Sequence, residues 1–204
     1  RNSDYTIREY IRNFIMSKLE TNTIDTVSGT TNLTIGSTNT STITMPNGKL
    51  TGQNFPAWFI NLSADQTGVT DNVSTKVQLN TVEFDTDSLY DNSTNYRLTI
   101  SSGKAGKYQI EANVFVISNS GVSTFNRGVA YIYKNGSPFC SSFLDFRNNP
   151  TQKTNIVVSA VIDLAVGDYI EIFGMGDSTD SGNVSFRGDS SARESWFQGY
   201  RIGA

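Results

Sequence analysis

The sequence predicts an all-β protein built as a sandwich of short strands, and three observations carry that prediction. Hydrophobic residues make up 37% of the 204-residue chain and charged residues only 17%. Ser, Thr, Asn and Gly fill the balance, and these residues suit pleated sheets and turns of positive φ. The stretch "LYDNSTNYRLTISSGKAGKYQIE" (89–111) sets a polar turn, a short alternating strand, a Gly-punctuated turn and a longer strand in immediate succession. Finally, "KNGS" (134–137) and "AVGD" (165–168) are tight-turn signals, each joining two alternating apolar runs.

The first segment departs from this pattern. In residues 1–20, Ile7, Ile11, Phe14, Ile15 and Leu19 recur at three- and four-residue steps, with Asp4 placed to cap the start. That spacing predicts a short amphipathic helix serving attachment and trimerisation. A helix of this length is marginal alone, so its stripe must pack on something, most simply a neighbouring copy.

Residues 21–54 change character again. Short pieces such as "TIDTV", "NLTIG" and "STITM" are separated by Gly, Ser and Asn, and each offers only one or two large apolar side chains. Ile24, Val27, Leu33, Ile35, Ile43 and Met45 are these residues. The plain alternative is a Ser/Thr-rich linker. The spacing of the apolar residues favours a repetitive β shaft in which several chains pool them into one core.

From Phe55 to Ala204 the pattern is dense and all-β. Strands are predicted over 56–63, 76–84, 96–101, 106–117, 127–134, 137–144, 154–164, 168–174 and 195–202. Tyr108, Ile110, Ala112, Val114 and Val116 alternate onto one face, as a half-buried strand requires. Many short strands without an internal helix make this a β-sandwich or jelly roll rather than a doubly wound sheet.

Composition also bounds function. Net charge is −3 with Lys and Arg scattered, so no basic stripe exists to track phosphates and nucleic-acid binding is not expected. No apolar run approaches the ~20 residues of a membrane span. No secretory signal pattern opens the chain, and it starts at Arg1 without Met, so it is expected to begin inside a longer or processed product. Histidine is absent, which removes Ser-His-Asp and Cys-His triads and His-ligated zinc. Cys140 is the single cysteine, so there is no intrachain disulfide, and its strand-like surroundings favour a small packed residue over a reactive thiol. Carboxylates are plentiful, and a glycosidase needs only two of them. Most lie in turn-like segments where Asp is favoured for backbone reasons, so no enzyme is expected. "DSTDSGN" (177–183) lacks the spacing and terminal Glu of a helix-loop-helix calcium site, and no cofactor is expected. Seven N-x-Ser/Thr sequons, at Asn32, Asn39, Asn61, Asn72, Asn92, Asn135 and Asn183, are uninformative in a chain so rich in these residues.

"YDNSTNYRLTISSGKAGKYQIEANV" resembles a signature of the jelly-roll superfamily shared by tumour necrosis factor and the complement globular head. A Tyr-Asp pair, a turn, a short strand, a Gly and a Tyr-led strand follow in that order. "YIYKNG", "VIDLAVGDYIEI" and "FQGYRI" resemble its central hairpin, its strands flanking a Gly-Asp turn, and its closing strand, whose aromatic-x-Gly-aromatic pattern falls on Phe197, Gly199 and Tyr200. "TISSGKAG" departs by lacking the Pro often found before the Gly. The resemblance implies a homotrimer held through aromatics of one sheet, with Trp58, Phe59, Phe197 and Tyr200 as candidates, at least half of which should prove ordinary core. Some relatives bind a structural calcium near the trimer axis.

Helix, thin shaft and globular head together are similar to bacteriophage appendage proteins. The expectation is therefore a non-enzymatic viral fibre or spike displayed on the virion. Its N-terminal helix would contact capsid or tail proteins, and its distal head a host-surface glycan or protein. Two alternatives stand beside it: a capsid decoration or head-fibre protein without a receptor, and a secreted cellular module of the same fold.

The resemblance also implies that both chain ends leave the head at its base. Strand parity then puts the connections at 118–126, 145–153, 175–194 and 85–95 at the far end. Long loops on a rigid scaffold are where recognition usually resides. The binding residues expected there are Phe125, Phe146, Arg147, Asn148, Asp177, Asp180, Phe186, Arg187, Asp189 and Arg193.

Overall fold

The structure is a computed structural model and describes residues 55–119 and 121–203. The predicted helix of 1–20 and shaft of 21–54 lie outside the described residues. The strands in chain order are β1 (Ala57–Asn61), β2 (Ala64–Val69), β3 (Thr75–Lys76), β4 (Thr81–Asp85), β5 (Tyr90–Asp91), β6 (Arg97–Thr99) and β7 (Gly106–Ser118). They continue as β8 (Phe125–Lys134), β9 (Ser137–Asp145), β10 (Lys153–Leu164), β11 (Tyr169–Ser178), β12 (Val184–Asp189) and β13 (Trp196–Gly203). Every pairing among them is antiparallel, and they form two sheets, as an all-β sandwich requires.

The first sheet is organised around β7. Along one edge β7 pairs with β10 over its whole length, from Lys153 opposite Ile117 to Leu164 opposite Gly106. Along the other edge lie β13 and, beyond it, β12, so residues 184–203 form one strand line interrupted by an excursion at 190–195. β1 pairs with β13 and β2 with β12, and β4 closes the side beyond β1. The second sheet runs β9–β8–β11, with β3 and β6 sharing the next position and β5 outermost.

The alternation read from β7 is what the structure shows: Tyr108, Ile110, Ala112, Val114 and Val116 are all fully buried. They meet Trp58 and Ile60 of β1, Phe197 of β13, and Ile132, Ile170 and Ile172 of the second sheet in one core. Close approach sets two glycines. A Cβ at Gly199 would lie 2.4 Å from the Trp58 ring, and one at Gly174 would lie 2.7 Å from the Phe186 ring. Cys140 is half-buried against this core, and burial pushes its thiol up, toward the protonated form.

The turns at 101–105, 134–137 and 165–168 gather at one end, together with the start of β1 and the end of β13. Asn135 (φ 53°) and Gly136 (φ 78°) make the two-residue hairpin that "KNGS" predicted. The Asn135 side chain donates from Nδ2 to Asp168 Oδ1 at 2.8 Å and accepts from Tyr169 N at 2.9 Å. Lys134 Nζ stands 2.9 Å from Asp168 Oδ2, which also accepts from Ala165 N at 2.9 Å. Asp168 thus caps its own turn and ties it to the neighbouring hairpin.

Three sequence expectations need correction. Residues 76–84 are not one strand. Lys76 ends β3 in the second sheet and Thr81 begins β4 in the first, while Val77 and Leu79 point into the core as the chain crosses between sheets. Both pieces run toward the base, and the short β5, paired antiparallel with β6, adds the reversal that keeps the 85–95 connection from the far end. Thr86 N donates to Ala57 O at 3.0 Å and Asp87 pairs with Lys104 at 2.5 Å, both near the base. The segment at 175–194 is not one long loop either, because β11 runs to Ser178 and β12 occupies 184–189.

Two predictions follow from this packing. Gly199→Ala is expected to cost ~1–3 kcal/mol in denaturant unfolding, because a well-packed core answers an added methyl with strain. Gly203→Ala, with nothing within 4 Å of its Cβ, is the control and should change little. The second concerns acid. Hydrogen bonds from Asn135, then Lys134 and Ala165, hold the Asp168 carboxyl down to about 2. An unfolded aspartate titrates near ~3.9, so the stabilisation is complete above that value and disappears as pH falls through about 2. Melting temperatures of wild type and Asp168→Asn should therefore differ at pH 7 and converge toward pH 2; a constant gap would contradict this account.

Candidate functional site

Opposite the base, residues 70–74, 119, 121–124, 146–152 and 179–183 connect the strands at the far end. Four of the sequence-predicted residues lie in or beside these connections: Arg147, Asn148, Asp177 and Asp180. Arg147 is exposed and grips Asp145 with both forks of its guanidinium, Nε at 2.9 Å and Nη2 at 2.5 Å from Oδ2. These bonds hold the Asp145 carboxyl down to about 2. Residues 145–149 line a cleft of about 330 Å³, with Asn148 on its wall. Asp177 pairs with Arg127 at 3.1 Å, and Arg127 reaches Asn72 Oδ1 at 2.5 Å. Asp180 accepts from Ser178 Oγ at 2.6 Å and from Gly182 N at 3.0 Å, while Ser178 N donates to Asp71 at 2.7 Å. Acids at this end are engaged within the protein, Asp145 and Asp180 by their own turns and Asp71 and Asp177 by neighbouring strands.

Phe125 and Phe186 belong elsewhere: both are fully buried in the core. Phe125 opens β8 and Phe186 sits in β12 opposite Val116 of β7, so strand parity turns each ring inward. Phe146 is half-buried and packs on Phe125, ring centroids 6.2 Å apart. These aromatics build the floor of the far end rather than its surface.

Arg187, Asp189 and Arg193 lie on the flank of the first sheet, at the end of β12 and in the 190–195 excursion. Asp189 accepts from Ser191 N and Ala192 N, both at 2.7 Å, which turns the chain and holds its carboxyl below the usual range. Arg187 pairs with Glu194 at 2.7 Å and Arg193 with Glu83 of β4 at 3.0 Å. The physical reason is β12, whose short apolar run "VSF" gives little local strand signal and is fixed by pairing with β7 and β2.

Sequence reasoning divided the aromatics of the first and last strands without assigning sides. Trp58 and Phe197 are core, whereas Phe59 and Tyr200 point outward from the first sheet. Phe59 stacks between Phe84 and Trp196, with centroids 6.5 and 6.0 Å away. Phe84, Tyr200 and Ile202 are each half exposed or more. A second apolar surface lies on β9, the edge strand of the second sheet, where Phe139 and Phe143 are exposed, while the exposed Val157 and Val161 of β10 share the outer face of the first sheet with Trp196 and Tyr200. At Phe59, Val157, Val161 and Tyr200 the signal was the strand alternation itself, since each has the parity opposite to a buried neighbour; β4 and β9 hold no buried residue and gave no such signal.

No family model matches the chain, and no curated protein matches it. Solved structures do. The globular domain of zebrafish complement 1qA aligns with a TM-score of 0.50 and 15% identity, covering 73% of this chain and 98% of that one. The Eiger TNF of S. frugiperda gives 0.53 and 8% identity, covering 73% and 93%. Murine APRIL gives 0.51 and 8% identity, covering 73% and 100%. At such identities the likeness is one of fold, and the fold is the jelly roll of the tumour necrosis factor and complement 1q globular domains.

Proposed function

We propose that the chain is a non-enzymatic, self-associating binding module, and that residues 55–204 form its head in a homotrimer. The observation that carries this reading is the pair of unlike apolar surfaces. Phe59, Phe84, Tyr200 and Ile202 cover the outer face of the first sheet near the base; Phe139 and Phe143 are exposed on β9, the edge strand of the second sheet. Contiguous exposed apolar area on a soluble domain marks an interaction surface. Two different complementary patches make a heterologous contact, and a heterologous contact that closes by rotation gives a ring. A small ring also supplies the several chains that the apolar-poor 21–54 segment needs for a common core.

The finer reading is a viral fibre or spike head of the bacteriophage type, carried on the virion. The helix–shaft–head order of the sequence supports it, with the 1–20 helix contacting capsid or tail proteins and the far end contacting a host-surface glycan or protein. The far-end surface for that contact is Arg147, Asn148, Asp177 and Asp180 with their loops, backed by Phe146.

Light scattering on the purified chain tests the assembly. A mass three times the 22.4 kDa of one chain is expected. Phe84→Asp and Tyr200→Asp, which place a carboxylate on an exposed outward position, should dissociate it while the β circular-dichroism signal stays. A monodisperse wild-type monomer at micromolar concentration removes the proposal. For the far end, replacing 146–152 and 179–183 with short Gly/Ser turns should leave the mass unchanged and abolish the ability of the full chain to block adsorption of its parent particle. Blocking that survives both replacements takes recognition away from the far end.

A further inference from the structure

The outer face of the first sheet holds a cleft just beyond the apolar patch. In register order from the base, one row carries Phe84, Phe59, Gln198 and Glu111, and the next carries Asn61, Trp196, Asn113 and Val157. The cleft begins on that second row. It has a volume of about 450 Å³, with Asn113 and Phe115 of β7, Asn155 of β10, Trp196 of β13 and the Arg193–Glu194 side of the excursion among its walls.

Its polar groups are incompletely used. Asn113 is only 7% exposed, and its Nδ2 donates to Asn155 Oδ1 at 2.9 Å and to Glu194 O at 2.5 Å. Those two acceptors fix the orientation of the amide and leave Oδ1 buried without a donor. Asn61, across Trp196 in the same row but behind the cleft rather than in its wall, is fully buried with neither amide atom partnered. A buried polar atom without a partner is costly, and such groups in folded proteins call for an explanation. The charges at the rim do not supply one, because Arg193 is taken by Glu83 and Arg187 by Glu194.

We propose that this cleft is a subsite for a neutral hexopyranose unit. A sugar ring offers an apolar face to Trp196 and Phe115 and hydroxyls to the amides. A hydroxyl donates to Asn113 Oδ1, and a neighbouring hydroxyl accepts from the exposed Asn155 amide. Charged sugars gain nothing here, since the flanking guanidinium groups already hold carboxylates. The excursion at 190–195 forms one wall, so small movements of that segment set access to the amides beneath it.

The chain has two tryptophans, and Trp58 is sealed in the core, so a ligand-induced change in intrinsic fluorescence reports on Trp196. The full chain is titrated with glucose, galactose, mannose and N-acetylglucosamine, with saturation-transfer NMR as the second readout. At least one sugar is expected to bind with a Kd on the order of 1 mM and to change the fluorescence. Asn155→Ala, an exposed position, should weaken that binding by roughly tenfold, the worth of one well-made hydrogen bond. Arg147→Ala at the far end should leave it unchanged. No response to any of the four sugars overturns the proposal. So does a response that Asn155→Ala leaves intact, or one that Arg147→Ala abolishes.

Discussion

The parity of β7 is the constraint on which the rest of the molecule depends. Thirteen residues long and paired along both edges, it presents five consecutive inward side chains that no solvent reaches. A one-residue slip would exchange its faces and expose all five, at ~1.5–3 kcal/mol for each large side chain. Its register therefore dictates that of its neighbours. Ile156, Val158, Ile162 and Leu164 of β10 face the core because β7 does, and so do Phe197 of β13 and Val184 and Phe186 of β12. The same parity sends Asn113 and Phe115 outward, where they form the cleft floor, and Trp196 beside them. Core and candidate surface are two consequences of one alternation.

The second sheet closes on this frame by size complementarity. Gly174 and Gly176 face Phe186, Val114, Val116 and Val184, and a Cβ at either position would stand inside contact distance of them. Bulk on one sheet is answered by its absence on the other, as dense packing demands. That arrangement explains why aromatics flanked by polar residues in the sequence belong to the interior. Phe186, in "NVSFRGD", occupies space that Gly174 leaves.

The sequence was legible where a single strand carries its own pattern. β7, the "KNGS" hairpin, the Gly-Asp turn and the closing strand were readable because alternation and turn chemistry there are local. Reading failed where pairing overrides pattern. β2, "ADQTGV", buries only Val69 and is a strand because β12 lies beside it. β12 in turn exists through β7 and β2. Residues 76–84 look continuous, yet the chain changes sheet at 77–80, a choice made by the core that receives Val77 and Leu79. These failures misplaced segments: the unread β5 put the 85–95 connection at the far end, and the unread β12 put Phe186, Arg187, Asp189 and Arg193 in a far-end loop they do not occupy. The far-end turns themselves, with Arg147, Asn148, Asp177 and Asp180, were placed correctly by parity because β7 to β11 were read as they are.

The arginines of both candidate surfaces share one arrangement, and it bears on what such surfaces recognise. Arg127 is matched to Asp177, Arg147 to Asp145, Arg187 to Glu194 and Arg193 to Glu83. Exposed pairs of this kind contribute little stability, about 0–1 kcal/mol each. Their effect on the surrounding field is larger, because each guanidinium is cancelled within 4 Å and little potential survives beyond a Debye length of about 8 Å. Long-range steering of a charged partner is therefore weak at these sites. Discrimination falls to groups that act on contact: the Asn148 amide and Phe146 ring at the far end, and Asn113, Asn155 and Trp196 on the flank. A surface that silences its own charges and keeps amides and aromatic rings available is matched to ligands that are polar but uncharged.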